Sequence, residues 1–232
     1  QGEGSDIATD TERPIHPNNC HYATLTTTTI GATLENNGYD GIALKAGELY
    51  DLSLMARNDA AKGSRLQVAL VNEDDEVLAQ KTITVNRNEW STMKATLKAA
   101  KEAEKARLVI TPLTVGCVDL DMISLFPRKT FKGRKNGLRA DLAQVIADMK
   151  PKFVRFPGGC AAHGNGLDNM YLWKRTIGKL EERQHMPNIW NYHQTLGLGY
   201  YEYFLFCEDI GAEPLPVIPA AVPCQNSWRG GH

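Results

Sequence analysis

The residues best suited to chemistry lie in one short run, residues 152–160, which reads KFVRFPGGC. Arg155 carries a guanidinium that can hold a carboxylate through two parallel hydrogen bonds. Its neighbours in the run are mostly apolar, and a charge in apolar surroundings is costly unless it is paired. We therefore expect Arg155 to face a carboxylate or a polar ligand near the end of this run.

Cys160 ends the run and is the second candidate for chemistry. It can act as a nucleophile, with His163 close by in the sequence, if a cation or a helix N-terminus populates the thiolate; otherwise it lines a pocket. Cys160, His163 and His185 lack the closely paired spacing of a zinc site. Gly158 and Gly159 lack the Lys-Ser/Thr pair that follows the glycines of a phosphate-binding loop. We expect no metal ion and no cofactor.

A buried strand must position these groups. Because side chains alternate along a strand, Arg155 shares one face with Phe153 and Pro157. Pro157 ends the ladder, and Gly158 and Gly159 let the chain turn through conformations closed to other residues. These three residues are predicted to shape a pocket at the carboxyl edge of a parallel sheet, where α/β folds place their chemistry.

The segments around this strand follow the order of parallel α/β units. Apolar residues in 138–149 recur with helical spacing before the strand, and Pro151 stops that helix. Residues 158–196 show no clear period, and a loop of that length in a compact domain is usually functional. A second helix, over 200–210, and a strand, over 215–222, follow.

Length and patterning divide the chain into three parts. Residues 129–232 are far fewer than the about 250 of a closed barrel, so a (β/α)8 TIM barrel would be incomplete here, and we expect the front part of a longer protein. Many short alternating runs in 19–128 predict an antiparallel β-sandwich. Residues 1–18 are polar and hold Pro14 and Pro17, which predicts an extended linker.

Several residues of the predicted sandwich have alternative interpretations. Trp90 is expected to support the core or a turn rather than to serve as a platform for a sugar. Asp119 and Asp121 either bind calcium or are solvated strand residues. Cys20 and Cys117 can form a disulfide if the first and last strands of one sheet pair, and free thiols are the alternative.

The composition excludes two classes of partner. There are 26 basic and 27 acidic residues, for a net charge of −1, so the clustered positive charge that nucleic acids and anionic membranes require is missing. No apolar run approaches the roughly 20 residues that cross a bilayer. We expect neither a nucleic-acid partner nor a membrane partner.

From residue 122 onward the sequence resembles the family 51 glycoside hydrolases, the α-L-arabinofuranosidases. The shared motifs, in the family's order, are GLRADL (137–142), KFVRFPGGC (152–160), WKRTIG (173–178), LGLGY (196–200), FCEDIGAEP (206–214) and VPCQN (222–226). The sandwich resembles the carbohydrate-binding-module-like jelly roll of some members, with NNCHY (18–22) and VDLDM (118–122) as its most recognisable pieces. The resemblance is to the amino-terminal portion of such an enzyme.

The resemblance implies retaining, exo-acting removal of terminal arabinofuranosyl residues from arabinan and arabinoxylan. Retention requires two carboxyl groups about 5 Å apart. The family carries both on later strands, in motifs that this sequence lacks, so no catalytic residue is assigned and the chain alone is expected to be inactive. By the same resemblance, Arg155 supports the active-site carboxylates, Cys160 lies beside the arabinose ring as an unreactive lining residue, and Trp173 borders the pocket.

Two other interpretations of the chain stay open. It can be a non-catalytic carbohydrate-binding module, or the sandwich can brace the barrel without touching sugar. The expected partners are an arabinose-containing polysaccharide or oligosaccharide, together with further copies of the chain or the missing part of the barrel, since open βα units expose sheet edges. A polymeric substrate implies a secreted or periplasmic protein.

Overall fold

The computed structural model describes residues 3–59 and 62–229. The chain divides into two compact units. The first comprises Gln1–Ile15 and His21–Ala140, and the second comprises His16–Cys20 and Asp141–His232.

The first unit is built from antiparallel strands, as the alternating runs predict. They are β1 (Ser5–Asp10), β2 (Tyr22–Thr27), β3 (Leu34–Asn36), β4 (Ile42–Leu44), β5 (Leu49–Arg57), β6 (Ser64–Val71), β7 (Val77–Val85), β8 (Ser91–Lys98), β9 (Ala103–Pro112) and β10 (Gly116–Pro127). One sheet has the order β1-β2-β10-β5-β8, and the other has the order β3-β9-β6-β7, with β4 also paired to β9. These strands confirm the predicted antiparallel β-sandwich.

One large apolar cluster fills the interior of the sandwich, because alternate residues of its strands point inward. Leu52 and Leu54 of β5 are buried in this cluster, and so are Leu66, Val68 and Leu70 of β6. The last three side chains have no exposed surface. The sandwich therefore has a complete core of its own.

A buried arginine organises one region of the sandwich. Arg57 donates from Nε to Asp119 Oδ2 at 2.7 Å and from Nη2 to the Tyr22 hydroxyl at 2.8 Å. Its guanidinium lies 4.7 Å from the Trp90 ring centroid. Both Arg57 Nη1 and Trp90 Nε1 donate to the carbonyl of Arg13 at 2.8 Å. The supporting role predicted for Trp90 is thus confirmed, and Asp119 is an ion-pair partner rather than a solvated residue.

The prediction of a linker over residues 1–18 is wrong for Ser5–Asp10. This segment forms β1, which pairs along its whole length with β2. Its side chains are mostly exposed, because β1 lies at the edge of its sheet and covers no core. An exposed edge strand lacks the apolar alternation by which strands are detected. Residues 16–20 leave this unit and belong to the second.

None of the five cysteines forms a disulfide bond. Of the two alternatives for Cys20 and Cys117, the structure excludes the disulfide between them. Cys117 is exposed on β10, and Thr26 Oγ1 donates to its sulfur at 3.8 Å.

The second unit contains helices, short strands and a long irregular segment. Its helices and strands are α1 (Ala140–Asp148), β11 (Phe153–Phe156), α2 (Gly159–His163), β12 (Met186–Pro187), β13 (His193–Gln194), α3 (Tyr200–Ile210) and β14 (Glu213–Pro216). Short 3-10 turns span Leu167–Asn169, Trp173–Thr176 and Leu180–Glu182. The predicted order of helix, strand, long loop, helix and strand is confirmed.

Strands β11 and β14 pair in parallel, with Phe153 opposite Glu213 and Phe156 opposite Pro216. The predicted strand over 215–222 therefore begins earlier and ends at Pro216. The strand ends there because β11, its pairing partner, ends before Pro157. Beyond that point Pro219 cannot donate a backbone hydrogen bond to a sheet.

The apolar face predicted for α1 is present but uncovered by the residues that the structure describes. Leu142 and Val145 are 57% and 62% exposed, and of the α1 side chains only Ala143 is buried. The helix thus has the expected amphipathic pattern without a described partner for its apolar face.

Candidate functional site

Strand β11 is anchored to α3 through one of its two faces. Val154 and Phe156 pack against the buried cluster that includes Tyr200 and Tyr203 of α3. The Phe156 and Tyr203 rings are stacked with centroids 4.9 Å apart, and the Tyr203 hydroxyl donates to the carbonyl of Val154. Burial raises the pKa of Tyr203 to about 12. These contacts fix the position of the strand from which the candidate site extends.

Arg155 lies on the opposite face of β11, where the alternation predicts it. That face is exposed: Phe153 is 58% exposed, and Arg155 forms no hydrogen bond or ion pair with the residues that the structure describes. The expectation of a strand buried on both faces is therefore wrong for this chain. The reason is that α3 covers the face of Val154 and Phe156, while no described element covers the other.

The predicted turn after the strand lies beside the Arg155 guanidinium. The Phe156–Pro157 peptide is cis, and Gly158 has φ of 112°, a conformation that favours glycine. A methyl group on Gly158 or Gly159 would lie 3.6 Å from Arg155 Nη1 or Nη2. The glycine pair thus leaves one flank of the guanidinium open at the carboxyl end of β11.

Cys160 lies in the first turn of α2, directly after the glycine pair. A hydrogen bond with the thiol of Cys224, and burial, raise the pKa of the Cys160 thiol. The backbone holds the two cysteines near each other through Gly164, whose N–H donates to Cys160 O at 2.9 Å and whose carbonyl accepts from Cys224 N at 3.2 Å. A thiol with a raised pKa is a poor nucleophile at neutral pH, so the environment favours the lining role over the nucleophilic one.

Trp173 begins a 3-10 turn in the loop before α3. Its ring is 6.5 Å from the Tyr200 ring and 5.8 Å from Lys174 Nζ, and 41% of the residue is exposed. Within the described part of the chain, these ring contacts do not bring Trp173 to Arg155 or Cys160. Its position at the border of a sugar pocket stays a prediction.

The sequence analysis missed Arg183, which holds the long loop in place. The residue is 5% exposed, and it donates to Glu202 Oε1 at 2.8 Å, to Leu196 O at 2.8 Å and to Gly178 O at 2.9 Å. Burial raises the pKa of Glu202, but the hydrogen bonds from Arg183 and from the Gly199 N–H outweigh it, so that this pKa is lowered overall. No motif marks Arg183 in the sequence, because its partners are mainly backbone carbonyls of irregular structure.

Two further properties of the described residues bear on function. No group of three or more His, Cys, Asp or Glu side chains is placed to hold a metal ion. Among these residues there is also no helix with the length and apolar character needed to span a bilayer.

Comparisons with known proteins show what this chain is similar to. Residues 145–231 match the family model described as the alpha-L-arabinofuranosidase 1 domain. An extracellular exo-alpha-L-arabinofuranosidase of Streptomyces chartreusis is 43% identical over 204 residues, which cover 83% of this chain. Alpha-L-arabinofuranosidase 1 of Arabidopsis thaliana is 35% identical over 188 residues, 80% of this chain. An arabinose-bound family 51 α-L-arabinofuranosidase aligns with 98% of this chain, with a TM-score of 0.89 and 29% identity.

These matches show that the chain is similar to glycoside hydrolases. More narrowly, it is related to the α-L-arabinofuranosidases of family 51 and corresponds to their amino-terminal portion. The resemblance found in the sequence and the predicted fold class are thereby confirmed. The chain spans 24% and 27% of the Streptomyces and Arabidopsis relatives and 38% of the solved structure.

Proposed function

We propose that the chain is the amino-terminal portion of a retaining, exo-acting α-L-arabinofuranosidase, which removes terminal arabinofuranosyl residues from arabinan or arabinoxylan. The proposal rests on the match of residues 145–231 to the arabinofuranosidase domain, which includes β11 and the turn after it. An extracellular location is supported by the printed name of the Streptomyces relative.

In this proposal the exposed face of β11 is the inner face of the barrel. In a βα barrel, helices pack on the outer face of each strand, and the other face points to the barrel interior. Here α3 packs on the face that carries Val154 and Phe156. Arg155 then points inward at the carboxyl end of its strand. Association with the rest of a barrel would also cover Phe153 and the apolar face of α1, which explains why both are exposed here.

The proposed chemistry needs two carboxyl groups about 5 Å apart, one as nucleophile and one as general acid/base. The parent protein would supply both. Arg155 would position one of them, because its two Nη groups can donate in parallel and favour the ionised carboxylate. Cys160 would line the pocket as a neutral thiol, and Trp173 would border it. Arg155 is thus a positioning residue.

Hydrolysis of 4-nitrophenyl α-L-arabinofuranoside by the complete product of the gene tests this function. We expect turnover with retained anomeric configuration, and a loss of about 100-fold in kcat for Arg155→Ala, since misplacing a catalytic group costs about that much. Arg87→Ala, an exposed arginine in the sandwich, is the matched control and should keep full activity.

Two results would contradict the assignment. If the complete gene product does not hydrolyse the substrate, the proposed activity is wrong. Turnover by the 232-residue chain alone would show that the catalytic carboxyl groups are among its own residues.

For the sandwich itself we propose a structural role rather than independent sugar binding. Its one tryptophan, Trp90, is engaged with Arg57 and Tyr22, so its ring is not free to serve as a platform for a sugar. Affinity electrophoresis in arabinan and arabinoxylan gels tests this role. Retardation of the chain that Trp90→Ala abolishes would instead favour the carbohydrate-binding alternative.

A further inference from the structure

Two cysteines follow neighbouring strands of the second unit. Cys160 comes directly after the turn at the end of β11, and Cys224 follows β14 further along the chain. Because these strands pair in parallel, their carboxyl ends lie at the same edge of the sheet. We propose that Cys160 and Cys224 form a reversible disulfide bond by exchange with a small-molecule disulfide. This modification is separate from the hydrolysis proposed above.

The backbone connects the two cysteines through a single glycine. Gly164 N donates to Cys160 O at 2.9 Å, and Gly164 O accepts from Cys224 N at 3.2 Å. Gly164 has φ of 68°, and a methyl group at this position would overlap the carbonyl oxygen of Asn169. Only glycine fits these two constraints, so the fold itself fixes the separation of the two cysteines.

The segment that carries Cys224 is also held against the end of α2. Asn165 is 5% exposed, and its Oδ1 accepts from Ser227 Oγ at 3.0 Å, from Trp228 N at 3.2 Å and from Arg229 N at 3.3 Å. Ser227 N in turn donates to Cys224 O at 2.8 Å. The two cysteines are therefore kept close by hydrogen bonds on both sides of Cys224.

The thiols differ in their access to solvent. They are hydrogen-bonded to each other, and the structure describes their reduced form. Cys224 is 1% exposed, whereas Cys160 is only partly buried. Redox-sensitive pairs typically combine an accessible cysteine, which reacts first, with a neighbouring cysteine that resolves the product. Cys160 is accordingly the attacking cysteine and Cys224 the resolving one.

The exchange is balanced with glutathione disulfide as the oxidant. The thiolate of Cys160 attacks one sulfur of the reagent, whose S–S bond breaks, and one glutathione leaves. The thiolate of Cys224 then attacks Cys160 Sγ and displaces the second glutathione. The cysteines are oxidised, the reagent is reduced to two thiols, and those thiols take up the two protons that the cysteines lose.

The pKa of the Cys160 thiol acts on the rate and on the equilibrium of this exchange in opposite directions. A lowered thiol pKa stabilises the reduced form of a cysteine pair. The pKa of Cys160 is raised instead, so this stabilisation is missing, and an oxidising medium favours the disulfide. The same raised pKa makes the first attack slow at neutral pH.

In the proposed enzyme the bond would control activity. Cys160 is the residue proposed to line the sugar pocket, and the disulfide would draw its sulfur to Cys224 and tie α2 to the segment after β14. We expect oxidation of the complete gene product to remove most of its activity and a thiol reductant to restore it. This consequence rests on the proposed function, whereas formation of the bond does not.

Incubation of the chain with glutathione disulfide at mildly alkaline pH, followed by acid quenching and peptide mass mapping, tests the bond. We expect a cross-link between the peptides of Cys160 and Cys224 that dithiothreitol removes. Cys224→Ser should stop the reaction at a glutathione adduct on Cys160, and Cys160→Ser should leave the buried Cys224 unmodified. Cys117→Ser removes an exposed thiol of the sandwich and should leave the cross-link unchanged.

Three results would overturn the pair: a glutathione adduct on Cys160 that persists in the unaltered chain, a cross-link from Cys160 to another cysteine, or equal modification of Cys224 with and without Cys160. Thermal melting of each variant separates lost reactivity from lost folding. Full activity of the cross-linked gene product would contradict the control of activity. If the proposed function fails instead, the gene product is inactive in both redox states while the cross-link still forms.

Discussion

The sandwich and the α/β unit bury their apolar side chains to very different extents. In the sandwich, Leu66, Val68 and Leu70 are fully buried within one large cluster. In the α/β unit, the buried cluster is small and mostly aromatic, while Leu142 and Val145 of α1 are more than half exposed. The described residues thus supply a whole core for the sandwich and one side of a core for the α/β unit.

The largest change in stability that would test this difference between the two units is expected in the sandwich. Leu66→Ala should lower the free energy of unfolding of the sandwich by up to about 5 kcal/mol, because a fully buried leucine leaves a cavity in a closed core. Hydrogen exchange of peptides from residues 49–112 should accelerate, while that of peptides from 200–216 should not. Val77→Ala, at a half-exposed position, is the control. Equal acceleration in both units would show that they unfold together.

A somewhat smaller effect is expected in the α/β unit. Arg183→Met should lower its free energy of unfolding by roughly 3 kcal/mol, since it leaves Glu202 and several carbonyls without their donor. Exchange should accelerate between residues 178 and 202. The exposed Arg175, changed to Met, provides a matched control that should have almost no effect. If both variants behave alike, Arg183 does not hold the loop.

The smallest effect concerns pH. The pKa of Glu202 is lowered in the folded chain, so the stability it contributes is present above the unfolded pKa of about 4.3 and is lost as the pH falls through the folded value. Exchange in the α/β unit should therefore accelerate as the pH falls below the unfolded pKa, after correction for intrinsic exchange rates. Glu202→Gln should remove this acid dependence, and an unchanged acid profile in that variant would contradict it.

The same comparison explains what the sequence could predict. Alternating apolar residues revealed the sandwich, because its strands bury one face each, and the apolar run before Pro157 revealed β11. Strand β1 was missed because its side chains are mostly exposed and carry no period.

The rest of the site could not be predicted because irregular segments position it. Arg183, Cys224 and Trp228 reach their partners through loops, where spacing in the sequence says little about spacing in the fold. Arg155 was placed correctly at the carboxyl end of β11, since alternation and the glycine pair depend on neighbouring residues alone. The exposure of Arg155 depends on which elements cover its face of β11, and the residues near it in the sequence do not indicate those elements.

The parallel pairing of β11 with β14 also dictates an order of events during synthesis. Phe153 pairs with Glu213, so translation must proceed roughly sixty residues further, for about 3–12 s at common elongation rates, before that partner exists. The hairpin of β6 and β7 has its two halves joined by a short turn and can close almost at once. On the ribosome, β11 therefore stays without its partner strand for several seconds, whereas the β6–β7 hairpin can close as soon as both of its strands have emerged.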